Sequence, residues 1–206
     1  MIHDPFLTDG NDLAGRVLIG LTKIGIALKS QSWQDANTSG LSPTQGQILA
    51  LLHAKGSDGL RLSAIAHELS VTPATASDAV ATLVDKGLVL KDRAADDRRA
   101  IAITLTDVGQ QQAEKVLGWS DFVKVAVDEL SAEEQVGFLQ GLIKIIRNLQ
   151  QQGHIPIAHM CVTCQHFRPN VYDNPDYPHH CNFVDAPFGN QHLQVDCPDY
   201  YSPLST

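Results

Sequence analysis

Between residues 12 and 150, apolar positions recur mostly with the period of a helix. Asp12 to about Ser32 predicts a first helix of mixed apolar and small residues. Ser42-Pro43 reads as a helix start, a cap followed by proline at the first helical position, and it leads into Ile48, Leu49, Leu51 and Leu52. Leu62, Ile65, Ala66 and Leu69 fall at i, i+3, i+4 and i+7, which predicts a short amphipathic helix. After Ser70-Val71, Thr72-Pro73 repeats the cap-plus-proline start. Ala76, Val80 and Leu83 then form the buried stripe of a third helix in this group, which ends at Gly87. Here the period changes to two. Val89 and Leu90 predict a short strand, while Ile101, Ile103 and Leu105 alternate with Ala102 and Thr104. A charged turn, Asp92 to Arg99, separates the two. Thr106-Asp107 caps a long helix running to about Asp128. Ser131-Ala132-Glu133-Glu134 is a capping box that opens a last helix, with Leu139, Leu142, Ile143, Ile146 and Leu149 on one face.

Two short helices joined by a tight turn, then a two-stranded hairpin, predict a winged helix-turn-helix within a mainly α fold. A recognition helix buries one stripe in its own domain and leaves the other free for the major groove of DNA. Ala74, Thr75, Ser77, Asp78 and Thr82 occupy that free face and are small enough for close approach to bases. With Thr72 and Pro73 at the helix start, they are the candidate groove-contacting surface. Asp78 stands out, because a carboxylate there repels phosphate, although it can accept a hydrogen bond from a cytosine amino group. The hairpin offers Arg98 and Arg99 to phosphates or the minor groove, with a solvated hairpin tip as the plainer reading.

Composition changes this picture little. The chain has 206 residues, 43% apolar and 18% charged, which suits a packed core and argues against disorder throughout. No apolar run approaches the roughly 20 residues of a membrane span, and Lys23 interrupts the longest candidate, Val17 to Leu28. A soluble, cytoplasmic protein with no membrane association is expected. The net charge of −8 disfavours non-specific polyanion binding. It leaves room for a local basic face, since charges beyond about 10 Å are screened.

A break in composition near residue 153 matters more. All four cysteines lie beyond it, with seven of ten prolines, six of nine histidines and seven of twelve aromatic residues. Two parts are therefore expected: a helical DNA-binding and dimerisation domain over residues 1–153, and a small loop-rich metal-binding module over residues 154–206.

Residues 42–110 resemble the MarR family of bacterial transcriptional regulators. The resemblance is carried by Asp97-Arg98-Arg99 followed by Ile103-Thr104-Leu105-Thr106-x-x-Gly109, and by the Lys86-Gly87-Leu88-Val89 exit from the recognition helix. It implies an obligate homodimer in which the N-terminal helix and the two helices after the wing are intertwined, binding a pseudo-palindromic double-stranded DNA operator, usually as a repressor. It also implies that Asp97 orients Arg98, which enters the minor groove.

The cysteines follow the pattern Cys161-x2-Cys164-x16-Cys181-x15-Cys197. In a reducing compartment, four cysteines in a short segment argue for metal rather than disulfides. Structural zinc usually takes two close pairs, and here the second pair is split, although His179-His180 beside Cys181 keeps a mixed site open. One close pair and two distant singles suit a 4Fe–4S cluster, whose corners accept ligands from separate loops. The spacing, and the Cys164-Gln165-x-Phe167 neighbourhood, are also similar to those of high-potential iron–sulfur proteins. Phe167, Tyr172, Phe183, Phe188 and Tyr200 would shield such a cluster, or else simply form the core of a mini-domain. His159, His166, His179, His180 and His192 are read as surrounding groups, since four thiolates already complete either site.

No glycine-rich phosphate loop, paired carboxylates or nucleophile–base motif is present, so an enzyme is not expected. The expected function is a MarR-like repressor whose operator binding responds to a Cys-ligated 4Fe–4S cluster sensing redox, oxygen or iron. One alternative keeps DNA binding but has structural zinc in the tail and a small organic effector at the dimer interface. Another, of a different class, is an iron–sulfur electron-transfer or docking protein.

Overall fold

The structure is a computed structural model that describes residues 12–56, 59–93 and 101–202. Its helices are α1 (Leu13–Ser39), α2 (Pro43–Lys55), α3 (Leu62–Glu68), α4 (Pro73–Asp85), α5 (Asp107–Leu117), α6 (Asp121–Asp128) and α7 (Ala132–Gln151). Its strands are β1 (Val89–Arg93), β2 (Ile101–Leu105), β3 (Phe167–Arg168), β4 (His179–Cys181) and β5 (Ala186–Phe188). The packing separates the chain into two units, Met1–Val125 and Ala126–Thr206, so α7 groups with the cysteine-bearing segment.

In the first unit, side-chain oxygens satisfy the orphan N–H groups at the helix starts. Ser42 and Gln45 close a full capping box on α2, and Thr72 accepts from the N–H of Thr75 at 3.1 Å to start α4. Ile48, Leu49 and Leu52 of α2 meet Ile65 of α3 and Ala76, Val80 and Leu83 of α4 in one buried core, closed by Val89 and Ile103 of the hairpin. β1 and β2 pair antiparallel, with Val89 opposite Leu105 and Arg93 opposite Ile101. Leu60 adds an isolated bridge, exchanging two main-chain hydrogen bonds with Ile103 at 3.0 and 2.8 Å. The turn between α3 and α4 passes through Ser70, at φ 52°.

Two elements differ from the sequence expectation. The first helix runs on to Ser39, and its one buried residue, Ala36, lies beyond the expected end. The helix expected to run unbroken from Thr106 to Asp128 is divided by a 3-10 turn at Gly118–Ser120. Trp119 in that turn lies so close over Gly46 of α2 that a Cβ on Gly46 would come within 2.4 Å of the indole. Contact with another helix, rather than local propensity, sets this break.

The second unit is built on α7, which Ser131 and Glu134 open with the expected capping box. Main-chain and side-chain hydrogen bonds from Ser131 hold the Glu134 carboxyl below its ordinary value. Of the expected apolar stripe, Ile143 is buried, with Leu139 and Ile146 partly so, against Met160, Leu193, Phe167 and Phe188 of the segment that follows. That segment carries a small antiparallel sheet in the order β3-β4-β5, where Phe167 faces Cys181 and His179 faces Phe188.

Candidate functional site

The first candidate site is the outer face of α4. Thr72, Pro73, Ala74, Thr75 and Asp78 are exposed there, and Ser77 and Thr82 are half-buried. The Thr75 and Thr72 hydroxyls lie 2.8 Å apart, so the first turn presents a linked pair of hydroxyls. Thr82 turns its hydroxyl back to the carbonyl of Asp78 at 3.0 Å. Behind this face, Ala76, Ala79, Val80 and Leu83 are buried and fix the helix on its domain. Lys86, at the end of α4, is spent inside the domain on the carbonyl of Gly40 and on Gln45.

The hairpin β1–β2 follows α4 in the chain. Asp97, Arg98 and Arg99 lie outside the described residues. The strand leading to them exposes every side chain after Val89, including Lys91 and Arg93, which the sequence reading passed over. A strand of charged residues carries no hydrophobic alternation to reveal it. Behind the hairpin, Thr106 does double work. Its hydroxyl donates to the carbonyl of Gly87 at 2.8 Å and accepts from the N–H of Gly109 at 2.9 Å. A Cβ on Gly109 would fall 1.8 Å from the Leu88 carbonyl oxygen. The Thr-x-x-Gly spacing thus clamps the start of α5 onto the exit from α4.

The profile of the MarR family matches residues 41–101, which span this helix-turn-helix and the first residue of β2. This match covers 61 of the chain's 206 residues. Proteins of the MarR family are transcriptional regulators, not enzymes. The HTH-type transcriptional repressor MdtR of Bacillus subtilis is 25% identical over 130 residues, 63% of this chain and 83% of its own. The crystal structure of Staphylococcus aureus MepR in its DNA-binding conformation is 28% identical, with a TM-score of 0.58 over 65% of this chain and 98% of that one. A crystal structure of the S. aureus MepR–DNA complex is also 28% identical, with a TM-score of 0.55 over 63% of this chain and 95% of that one. These two MepR chains are spanned almost end to end, while about a third of this chain has no counterpart in them.

The second candidate site is the cysteine cavity. Cys161 begins a 3-10 turn that Cys164 follows, Cys181 ends β4 and Cys197 lies in the loop beyond, all of them free and half-buried. The fold brings the four together around one cavity of about 60 Å³, walled by Phe167, Phe183, Val184 and Phe188. Three of the sulfurs meet main-chain donors. The N–H of Gln194 reaches Cys161 Sγ at 3.3 Å and that of Tyr201 reaches Cys164 Sγ at 3.5 Å. The N–H of Asp199 bonds to Cys197. Burial pushes the Cys161 and Cys197 thiols above their ordinary value, while the Gln194 and Asp199 N–H groups oppose it by favouring the thiolate.

Among the described residues, no three His, Cys, Asp or Glu side chains stand close enough to share one metal ion. Tetrahedral zinc, at about 2.3 Å from each sulfur, needs sulfurs nearly in contact. A cluster with an iron at each of four corners accepts thiolates spread around a larger body. The four thiols around this apolar cavity, with N–H groups directed at three of the sulfurs, are the residues that would hold either centre.

Of the histidines, His166 lines this cavity, and the others are held by partners of their own. His179 is buried, accepting from the N–H of Asn170 at Nδ1 (3.2 Å) and pairing through Nε2 with Asn190 Oδ1 (3.1 Å), so both ring nitrogens have partners. His180 bridges Tyr172 and Asp185, and His159 stacks on Tyr200 with ring centroids 4.7 Å apart. His166 packs against Phe183 and Tyr201, and His192 against Tyr177. Among the described residues, no helix is long and apolar enough to cross a membrane.

Proposed function

We propose that this protein is a cytoplasmic, homodimeric MarR-type repressor whose affinity for a pseudo-palindromic operator depends on a 4Fe–4S cluster bound by Cys161, Cys164, Cys181 and Cys197. The DNA-binding half of this reading rests on the free face of α4, where small polar side chains and a linked pair of hydroxyls project from a buried helix. The likeness to MepR, which is known in complex with DNA, supports it. In this reading Arg98 enters the minor groove with Asp97 orienting it, and Arg99 meets phosphates or the minor groove. Dimerisation is supported by α1, where Val17, Leu18, Ile19, Ile24, Ile26 and Trp33 lie exposed in the single chain.

The convergence of four cysteines on one apolar cavity carries the cofactor half. The bound cluster supplies a one-electron redox couple. The chain's own contribution is to hold four thiolates, donate N–H groups to three of them and exclude water with aromatic rings, which tunes such a centre. Coupling runs through α7. Met160, next to Cys161, and Leu193, next to Gln194, share a core with Ile143. Ligation that orders Cys161 and Gln194 therefore also fixes their neighbours against α7, the last helix of the MarR dimerisation region. A coupling of about 1–3 kcal/mol changes operator affinity roughly 5- to 150-fold.

Two measurements test the two halves. On a palindromic duplex selected from random DNA, affinity is expected to fall steeply with salt, and Arg98→Ala to weaken it about tenfold or more. A flat salt response refutes DNA binding as the function. Protein purified without oxygen is expected to be brown, with a broad visible absorption that air bleaches. Colourless protein releasing stoichiometric zinc refutes the cluster.

A further inference from the structure

Between α7 and the cysteine-bearing segment, within the second unit, lies a separate cavity of about 280 Å³. Its floor is apolar, formed by Ile143, Phe167 and Leu193, and its rim carries Lys144 and Arg147. These two are exposed and stand three residues apart on α7, so both project from the same side of the helix. Among the described residues, neither makes a hydrogen bond or an ion pair, and no carboxylate lines the cavity. An uncompensated pair of cations over an apolar floor is notable in a chain of net charge −8.

Asn190 supplies a neutral polar group on the wall. Its Oδ1 is occupied by His179 Nε2 at 3.1 Å, and His179 is held from its other side by the N–H of Asn170 at 3.2 Å. This chain of bonds holds the Asn190 side chain at the cavity wall, and its NH2 group makes no other hydrogen bond among the described residues. The volume sits just below the range of drug-sized ligand sites, about 300–1,000 Å³. It therefore suits a compact ligand. The geometry points to a binding site for a small amphipathic organic anion, its ring on Ile143, Phe167 and Leu193 and its carboxylate or sulfonate at Lys144, Arg147 and Asn190. Inorganic phosphate fits poorly, because the floor would give it no hydrogen bonds and would strip its water. Phe167 also walls the cysteine cavity, so the ligand would rest against a ring that shields the sulfurs.

The test is calorimetric titration of the intact protein with 2-naphthoate, using 2-naphthamide and inorganic phosphate as comparison probes. Saturable binding of 2-naphthoate is expected, at least tenfold tighter than of either comparison probe. The double variant Lys144→Gln/Arg147→Gln should weaken naphthoate binding tenfold or more. Both side chains are exposed, so the fold does not depend on them. Asn190→Ala should weaken it severalfold, while Lys23→Gln/Lys29→Gln on α1 should leave it unchanged. The inference is overturned by any of three results: no binding of naphthoate at millimolar concentration, equal binding of the neutral amide, or undiminished binding by the Lys144/Arg147 variant. Equal or tighter binding of phosphate would also overturn it, by marking a simple charge site.

Discussion

Gly109 occupies a place that no other residue can take without moving the chain. The Leu88 carbonyl oxygen stands where a Cβ would go, and it belongs to the main chain, so it cannot swing aside. Gly109→Ala is expected to destabilise the first unit by about 3 kcal/mol, the upper part of the range for overpacking, as read from its urea unfolding midpoint. The same logic explains why the end of the wing motif was legible in the sequence. Thr106 and Gly109 are three residues apart, and the bonds joining them are local. Lys144, Arg147 and Asn190 show the opposite case. Some forty residues separate the cations from the amide, and only the docking of α7 brings them to one cavity.

Helix starts were readable for the same reason. Ser42, Thr72, Thr106 and Ser131 each cap the helix that their sequence context announced, because a cap is satisfied within three residues. Helix ends and breaks depended on distant packing. α1 continues past its polar Ser30-Gln31-Ser32 stretch to bury Ala36, and α5 is cut from α6 where Trp119 covers Gly46. α1 is also where a quaternary prediction belongs. Ile19 and Ile26 are exposed and two turns apart on one face. Ile19→Glu/Ile26→Glu places two carboxylates in an interface that must be desolvated, and is expected to weaken dimerisation at least tenfold by sedimentation equilibrium. Retained helicity in far-ultraviolet circular dichroism would separate lost assembly from lost folding.

At the scale of the whole molecule, a regulator domain of familiar plan carries an additional unit. The composition break pointed to a cysteine-bearing part over 154–206, whereas the packing groups α7 with that segment in a unit that starts at Ala126. The sequence could not reveal that the four line a single cavity, nor which groups would meet the sulfurs. Replacing Cys161, Cys164, Cys181 and Cys197 by Ser together is expected to leave a dimer whose operator affinity differs from that of the anaerobic native protein by 5-fold or more. Unchanged affinity in a protein that still dimerises would sink the proposed coupling.

The donors to the sulfurs are main-chain N–H groups, those of Gln194, Asp199 and Tyr201. Side-chain identity at these positions is therefore nearly free to drift, with proline alone excluded because it has no N–H to give. Divergent chains could keep the same surroundings for their thiolates while sharing almost no residues nearby. The lineage of this unit would then be traceable through the intervals between its cysteines and the absence of proline at three places, long after ordinary sequence identity had faded.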